Sequence, residues 1–180
     1  MTAEKDCGYR IEPGKEEMAE SLSAIDLRSN ALFPEEDLPS PQREWALSPS
    51  YFEESASQGR LWVAVDLEST EPVGFAAMAR LDGCAHLFQL SVLPEHGRKG
   101  VGTRLVEETI RQAREQGDSD LILTTFSHLP WNAPFYERLG FRNVKAREMG
   151  PGLRACLEKE AQEGLDPAKR VAMKRSLSSS

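Results

Sequence analysis

The stretch Ser91-Val-Leu-Pro-Glu-His-Gly-Arg-Lys-Gly-Val-Gly-Thr103 carries the residue types that hold an anion. An apolar run ends at Val92, a glycine-bearing turn follows, and a strongly periodic helical pattern opens at Val101. Gly100 and Gly102 lack bulk, so neighbouring backbone N–H groups can converge. The first turn of the helix adds unpaired N–H groups and the positive end of its dipole. Such a constellation favours phosphate. Arg98, Lys99 and Arg104 add positive charge around it.

Three phosphate motifs compete for this stretch. The Walker pattern needs Gly-Lys-Ser/Thr, which does not occur. The dinucleotide pattern GxGxxG fails, because Leu105 stands where the third glycine belongs, and the strand after the helix ends in Thr and Phe without an acid for a ribose. The pattern that fits has the form (Q/R)xxGx(G/A), which resembles the acyl-CoA pyrophosphate loop of the GNAT acetyltransferase superfamily. Downstream, Trp131-Asn-Ala-Pro-Phe-Tyr-Glu-Arg-Leu-Gly-Phe141 resembles that superfamily's second signature, an Asn-bearing segment leading to YxxxGF. The two come in the right order, with a helix and a strand between them. The likeness covers residues 61–145 well and the flanks by architecture. It departs at three places. Gly97 stands where Gln or Arg is usual, Asn132 lies close to Tyr136, and neither Gln89 nor Thr124 is the acid that some relatives carry on a strand as their base.

The resemblance implies a transferase that moves an acetyl group from acetyl-CoA directly to a primary amine within a ternary complex. Such chemistry needs a neutral amine, a donor for the oxyanion and a proton for the departing thiolate. By resemblance, the backbone of Leu90, Ser91 and Val92 holds the pantetheine arm. Arg98, Lys99, Gly100, Val101, Gly102 and Thr103 hold the pyrophosphate. Tyr136 protonates the sulfur, a task that suits a phenol because it is neutral at pH 7 and can donate. The base stays open among His86, His128, Glu95 and a water chain, with His86 the first choice because imidazole titrates in the useful range. Asn132 is either a cofactor contact or a helix cap. No covalent intermediate is required, and Cys84, at a turn, is not taken as a nucleophile.

Each of these residues has a plainer role beside the chemical one. The glycines could simply shape a turn, Tyr136 could be a core aromatic like Phe135, and either histidine could be structural. Glu35-Glu36-Asp37 reads as a solvated loop, or as a lure for cationic amines if it lines the acceptor cleft. The acceptor is expected to be a small amine (amino acid, polyamine or antibiotic-like), with a protein lysine or N-terminus as the other reading. Two other classes compete: a non-catalytic acyl-CoA sensor module and a nucleotide-binding α/β protein.

The elements that must position these groups are legible in the periodicity. Strands are expected at 9–12, 61–65, 73–80, 85–92, 121–126, 143–148 and 170–175. Helices are expected at 15–32, 50–58, 101–116, 132–139 and 153–163. A strand, a crossover helix and a strand imply one parallel pair. The fold class is therefore α+β: a mixed, mostly antiparallel sheet with a central parallel pair, flanked by helices, in one GNAT-like domain over 1–180. Pro34, Pro39, Pro41 and Pro49 exclude regular structure from residues 33–50, and Trp45, Tyr51 and Phe52 are expected to shape an acceptor pocket. The helix 153–163 and the final strand are candidates for the pocket's other wall or for a homodimer contact, and the tail 176–180 is expected to fray.

Composition narrows the classes. The chain has 180 residues, 39% hydrophobic and 28% charged, with net charge −7. That is globular composition, and its acidity argues against nucleic acid or an anionic membrane as partner. Its apolar runs are too short to span a bilayer. The opening residues show no basic-then-apolar leader, and Cys7, Cys84 and Cys156 form no disulfide framework, so a cytoplasmic setting is expected. The three histidines match no metal spacing, and no metal is expected.

Overall fold

The computed structural model describes residues 8–178. Seven strands form one sheet in the order β1-β2-β3-β4-β5-β7-β6. They are β1 Tyr9–Pro13, β2 Leu61–Asp66, β3 Pro72–Leu81, β4 Cys84–Val92, β5 Asp120–Phe126, β6 Arg142–Asn143 and β7 Arg170–Ser176. The helices are α1 Ala19–Ser29, α2 Pro49–Ser57, α3 Val101–Glu115, α4 Ala133–Arg138 and α5 Pro151–Gln162. The β4–β5 pair is parallel, as the strand–helix–strand order requires, and its ladder consists of Ala85↔Leu121 and His86↔Ile122. The other registered pairs are antiparallel.

The chain divides into two compact units. The first takes residues 8–32, Trp45–Ala77 and Gln89–Thr109. Its α1 buries Ala19, Leu22, Ile25, Asp26 and Ser29, so a carboxylate sits among the apolar positions. Ser48 caps α2, with its side chain accepting from the Tyr51 amide and Pro49 at the helix start. Phe52 is fully buried and meets the ring of Phe75 edge-on at 4.8 Å. Phe52 is therefore core rather than the pocket wall expected of it, while Trp45 is exposed. β3 and β4 approach closely at Gly74, where a Cβ would stand 2.9 Å from the Ser91 carbonyl oxygen. Only glycine fits there without a shift of the strand.

The second unit takes Phe33–Glu44, Met78–Phe88 and the residues from Ile110 onward. Ile122, Val144, Leu153 and Ala172 form one of its buried clusters, with Leu81, Met149 and Leu157 packed on it. The strand expected at 143–148 is only the two residues Arg142–Asn143. Glu148 folds back instead, accepting from the Lys145 amide at 3.2 Å and pairing with Arg142 at 3.1 Å, and Ala146–Glu148 becomes a 3-10 turn. The tail is anchored further than expected: β7 runs through Ser176, and Leu177 is buried with its amide on the Ser119 carbonyl. Residues 179 and 180 of that tail, and Cys7, lie outside the described residues. No helix of the described residues is long and apolar enough to cross a membrane.

Candidate active site

The turn between β4 and α3 has the geometry of an anion cradle. Arg98 (φ 60°) and Gly100 (φ 81°) both adopt left-handed backbone. That conformation strains a non-glycine residue such as Arg98 and recurs at ligand-binding turns. Space is open where a Cβ on Gly100 would stand. The Arg104 amide is bonded to the Gly100 carbonyl at 3.1 Å. The amides of Val101, Gly102 and Thr103 precede that first helical bond and so have no acceptor within the helix. Arg98 and Lys99 are exposed beside them. Arg104 is engaged elsewhere, its guanidinium donating to the Tyr9 carbonyl at 2.6 Å.

Asn132 does not cap α4 through its side chain. Its Oδ1 is instead a buried acceptor without a partner among the described residues. An orphaned acceptor of this kind costs free energy unless a ligand donor satisfies it. The observation favours the cofactor contact over the cap.

Tyr136 is buried, with Phe135 at 5.1 Å and Phe141 at 5.5 Å between ring centroids. Burial pushes its phenol pKa up, with Arg170 opposing weakly. The phenol therefore stays protonated throughout the neutral range. Its hydroxyl has no hydrogen-bond partner among the described residues.

The base candidates separate. His86 is buried on the paired rungs of β4 with its ring edge toward Phe88, and burial pushes its pKa down, so the imidazole is neutral at pH 7. Glu95 is exposed and tied to Arg28 at 2.6 Å; a hydrogen bond from its own backbone amide, and then the one from Arg28, hold its carboxyl below the usual range. His128 stands just beyond β5. Its Nε2 lies 2.8 Å from Asp37 Oδ2, and its side chain is 40% exposed against 3% for Asp37. Asp37 is thus not solvated like its neighbours Glu35 and Glu36. It also accepts from Lys169 Nζ at 2.6 Å, so its charge is already matched.

Sequence reasoning missed two acids. Thr124 donates to Glu160 Oε1 at 2.6 Å, and Glu160 is gripped by Arg170 through both of its oxygens. Gln89 donates to Asp26 Oδ1 at 2.9 Å. Both strand positions that lacked an acid have one delivered from a helix. Asp26 had a readable signal, because it lies four residues after Leu22 on the apolar face of α1. Cys84 is half-buried, and burial pushes its thiol pKa up, which makes it a poor nucleophile.

The model of the acetyltransferase (GNAT) family matches residues 21–141, about two thirds of the chain. The chain belongs to this family. A GNAT relative, the uncharacterized N-acetyltransferase YafP of Escherichia coli (strain K12), is 31% identical over 113 residues. That alignment covers 61% of this chain and 66% of YafP, just under two thirds of its length. Two solved structures share the GNAT fold. The PaiA N-acetyltransferase of Thermoplasma acidophilum, in complex with coenzyme A, is 17% identical with a TM-score of 0.66, covering 93% of this chain and 98% of its own. The N-acetylglutamate synthase of Neisseria gonorrhoeae, complexed with coenzyme A and N-acetyl-glutamate, is 18% identical with a TM-score of 0.69, covering 95% of this chain and 35% of its own.

Proposed function

We propose that this GNAT protein is an acetyl-CoA-dependent N-acetyltransferase acting on a small primary amine by direct transfer. The observation that carries the proposal is the strained turn Arg98–Gly100 opening onto the amides of Val101, Gly102 and Thr103, which precede the first helical bond and have no backbone acceptor among the described residues. A diphosphate satisfies these groups, and coenzyme A is bound by both of the structural relatives named above. In this proposal Arg98 and Lys99 supply charge to the phosphates, the backbone of Leu90, Ser91 and Val92 pairs with the pantetheine amides, and Asn132 Oδ1 accepts from a ligand N–H.

Tyr136 is proposed as the acid that protonates the coenzyme A thiolate. A phenol that stays neutral at every physiological pH is always loaded for that step, and its hydroxyl has no competing partner among the described residues. For proton removal from the amine, His128 is the stronger candidate of the two histidines. A buried carboxylate orients it through Nε2 and leaves Nδ1 for the substrate. His86 was the first choice from sequence, but burial weakens it as a base.

The test is release of coenzyme A from acetyl-CoA across a panel of amines, beside direct binding of acetyl-CoA. Binding with turnover on at least one small amine supports the transferase. Binding without turnover on any amine, peptide or protein supports the sensor module instead. A cytoplasmic location belongs to this proposal and is checked by fractionation.

A further inference from the structure

Tyr9 on β1 touches the anion turn at both of its ends. Its hydroxyl lies 2.8 Å from Nδ1 of His96, the last residue of the 3-10 turn Pro94–His96 that leads into Gly97 and the strained Arg98. The two rings meet edge-on at 5.6 Å. Its backbone carbonyl accepts from the Arg104 guanidinium at 2.6 Å, in the first turn of α3. One residue therefore grips the chain on either side of residues 97–103.

The sheet fixes Tyr9 independently of that turn. β1 pairs with β2 along its whole length, with Tyr9 opposite Asp66, and the Leu67 amide donates to the Gly8 carbonyl at 2.9 Å. Tyr9 is 8% exposed. A phenylalanine would fill the same space, so packing does not require the hydroxyl; what it adds is the bond to His96. Arg28 also reaches this stretch, at Glu95, but both of those groups are exposed, and such a pair contributes little and is screened by salt. A non-glycine residue at a φ of 60° persists only where its surroundings over-determine it. Tyr9 supplies two such constraints from outside the turn.

We propose that Tyr9 is a positioning residue for coenzyme A. Through His96 at one end and Arg104 at the other, it holds the diphosphate turn in its binding shape before the ligand arrives. Such preorganisation raises affinity because the turn is ordered on folding rather than on binding. This rests on the coenzyme A-binding function proposed above. Tyr9 lies upstream of the residues that match the family model.

The test pairs coenzyme A affinity, by calorimetry, with hydrogen exchange of the Gly97 amide in the ligand-free protein. The bond from that amide to the Pro94 carbonyl, at 3.1 Å, closes the turn at His96. Tyr9→Phe keeps the ring and the carbonyl and removes only the bond to His96. It is expected to weaken coenzyme A by about three- to tenfold, the worth of one neutral hydrogen bond, and to speed exchange of Gly97 by about the same factor. His96→Ala is expected to do the same, and the double variant to lose no more than either single one. His96→Asn, whose amide can meet the phenol where Nδ1 stood, is expected to keep affinity within about twofold of the parent. Unchanged affinity in Tyr9→Phe overturns the proposal. So does faster exchange without weaker binding, which would make the bond a strut of the fold alone. A further loss from His96→Ala in the Tyr9→Phe background would place His96 on the phosphates, and weak binding by His96→Asn would show that the ring rather than the bond matters; either result overturns the proposal. Should the parent fail to bind coenzyme A, the transferase reading fails, while exchange of Gly97 still decides whether Tyr9 holds the turn.

Discussion

The carboxylate of Asp37 and the imidazole of His128 are 91 residues apart in sequence and 2.8 Å apart in space. With Lys169 on the carboxylate's other oxygen, they fasten the proline-rich loop to the residues that follow β5 and precede β7. Hydrogen bonds from Lys169 and then His128 hold the Asp37 carboxyl below its ordinary pKa. A group with a depressed folded pKa stabilises the protein above its unfolded pKa and loses that contribution as pH falls through the folded one. Asp37→Asn should therefore lower the urea midpoint at pH 7. The difference from the parent should shrink as pH falls below about 4. A difference unchanged by acid would show that Asp37 stabilises by packing rather than charge.

The same pair predicts a kinetic effect. If His128 removes the amine proton, His128→Ala should lower kcat by about 10²-fold or more, and His86→Ala should cost far less. Asp37→Asn should cost an intermediate amount, because it misorients the ring without removing it. Comparing the kcat of the three variants on one amine checks the order. A larger loss at His86 would return the base to the central strand.

Gly102→Asp should weaken acetyl-CoA binding by about tenfold or more, because it sets a negative charge against the diphosphate at the end of α3 where the dipole favours anions. Calorimetry reads this directly. Unchanged affinity would mean that the glycines serve only the turn.

Tyr136→Phe removes a hydroxyl that has no protein partner among the described residues. Stability should stay within about 1 kcal/mol of the parent. Turnover should fall by about 10²-fold, with acetyl-CoA affinity unchanged. Equal loss of affinity and turnover would make the phenol structural.

Asn132 allows a test in which two effects have opposite signs. Its buried Oδ1 is unsatisfied without ligand, so Asn132→Ala should leave the ligand-free protein as stable as the parent or about 1 kcal/mol more stable. The same change should weaken acetyl-CoA. Thermal melts with and without acetyl-CoA separate the two. Loss of stability in the ligand-free protein would show that the side chain is already satisfied within the fold.

The local patterns made most of the sheet legible. Apolar runs between turn-like breaks located β2 to β4, a β-branched run located β5, and the apolar stripe Val101, Leu105, Val106 and Ile110 located α3. The strand–helix–strand order implied a parallel pair, whose rungs in the structure are Ala85↔Leu121 and His86↔Ile122. At 143–148 the pattern misled, because Val144 and Ala146 alternate like a strand while Arg142 and Glu148 close a turn. The two stretches that carry the family resemblance, 91–103 and 131–141, were legible because each is contiguous. The acids were not. Asp26 reaches Gln89 across 63 residues, Glu160 reaches Thr124 across 36, and Asp37 reaches Lys169 across 132. Periodicity reports which face of an element is buried, and it carries no record of which distant side chain a buried carboxylate meets.

The measurement closest to the centre of the account is equilibrium binding of acetyl-CoA to the purified chain, with Gly102→Asp alongside. The account predicts one site per chain with a Kd in the range of about 1–100 μM, weakened in the variant. No binding by the parent chain, or equal binding by both, would contradict it.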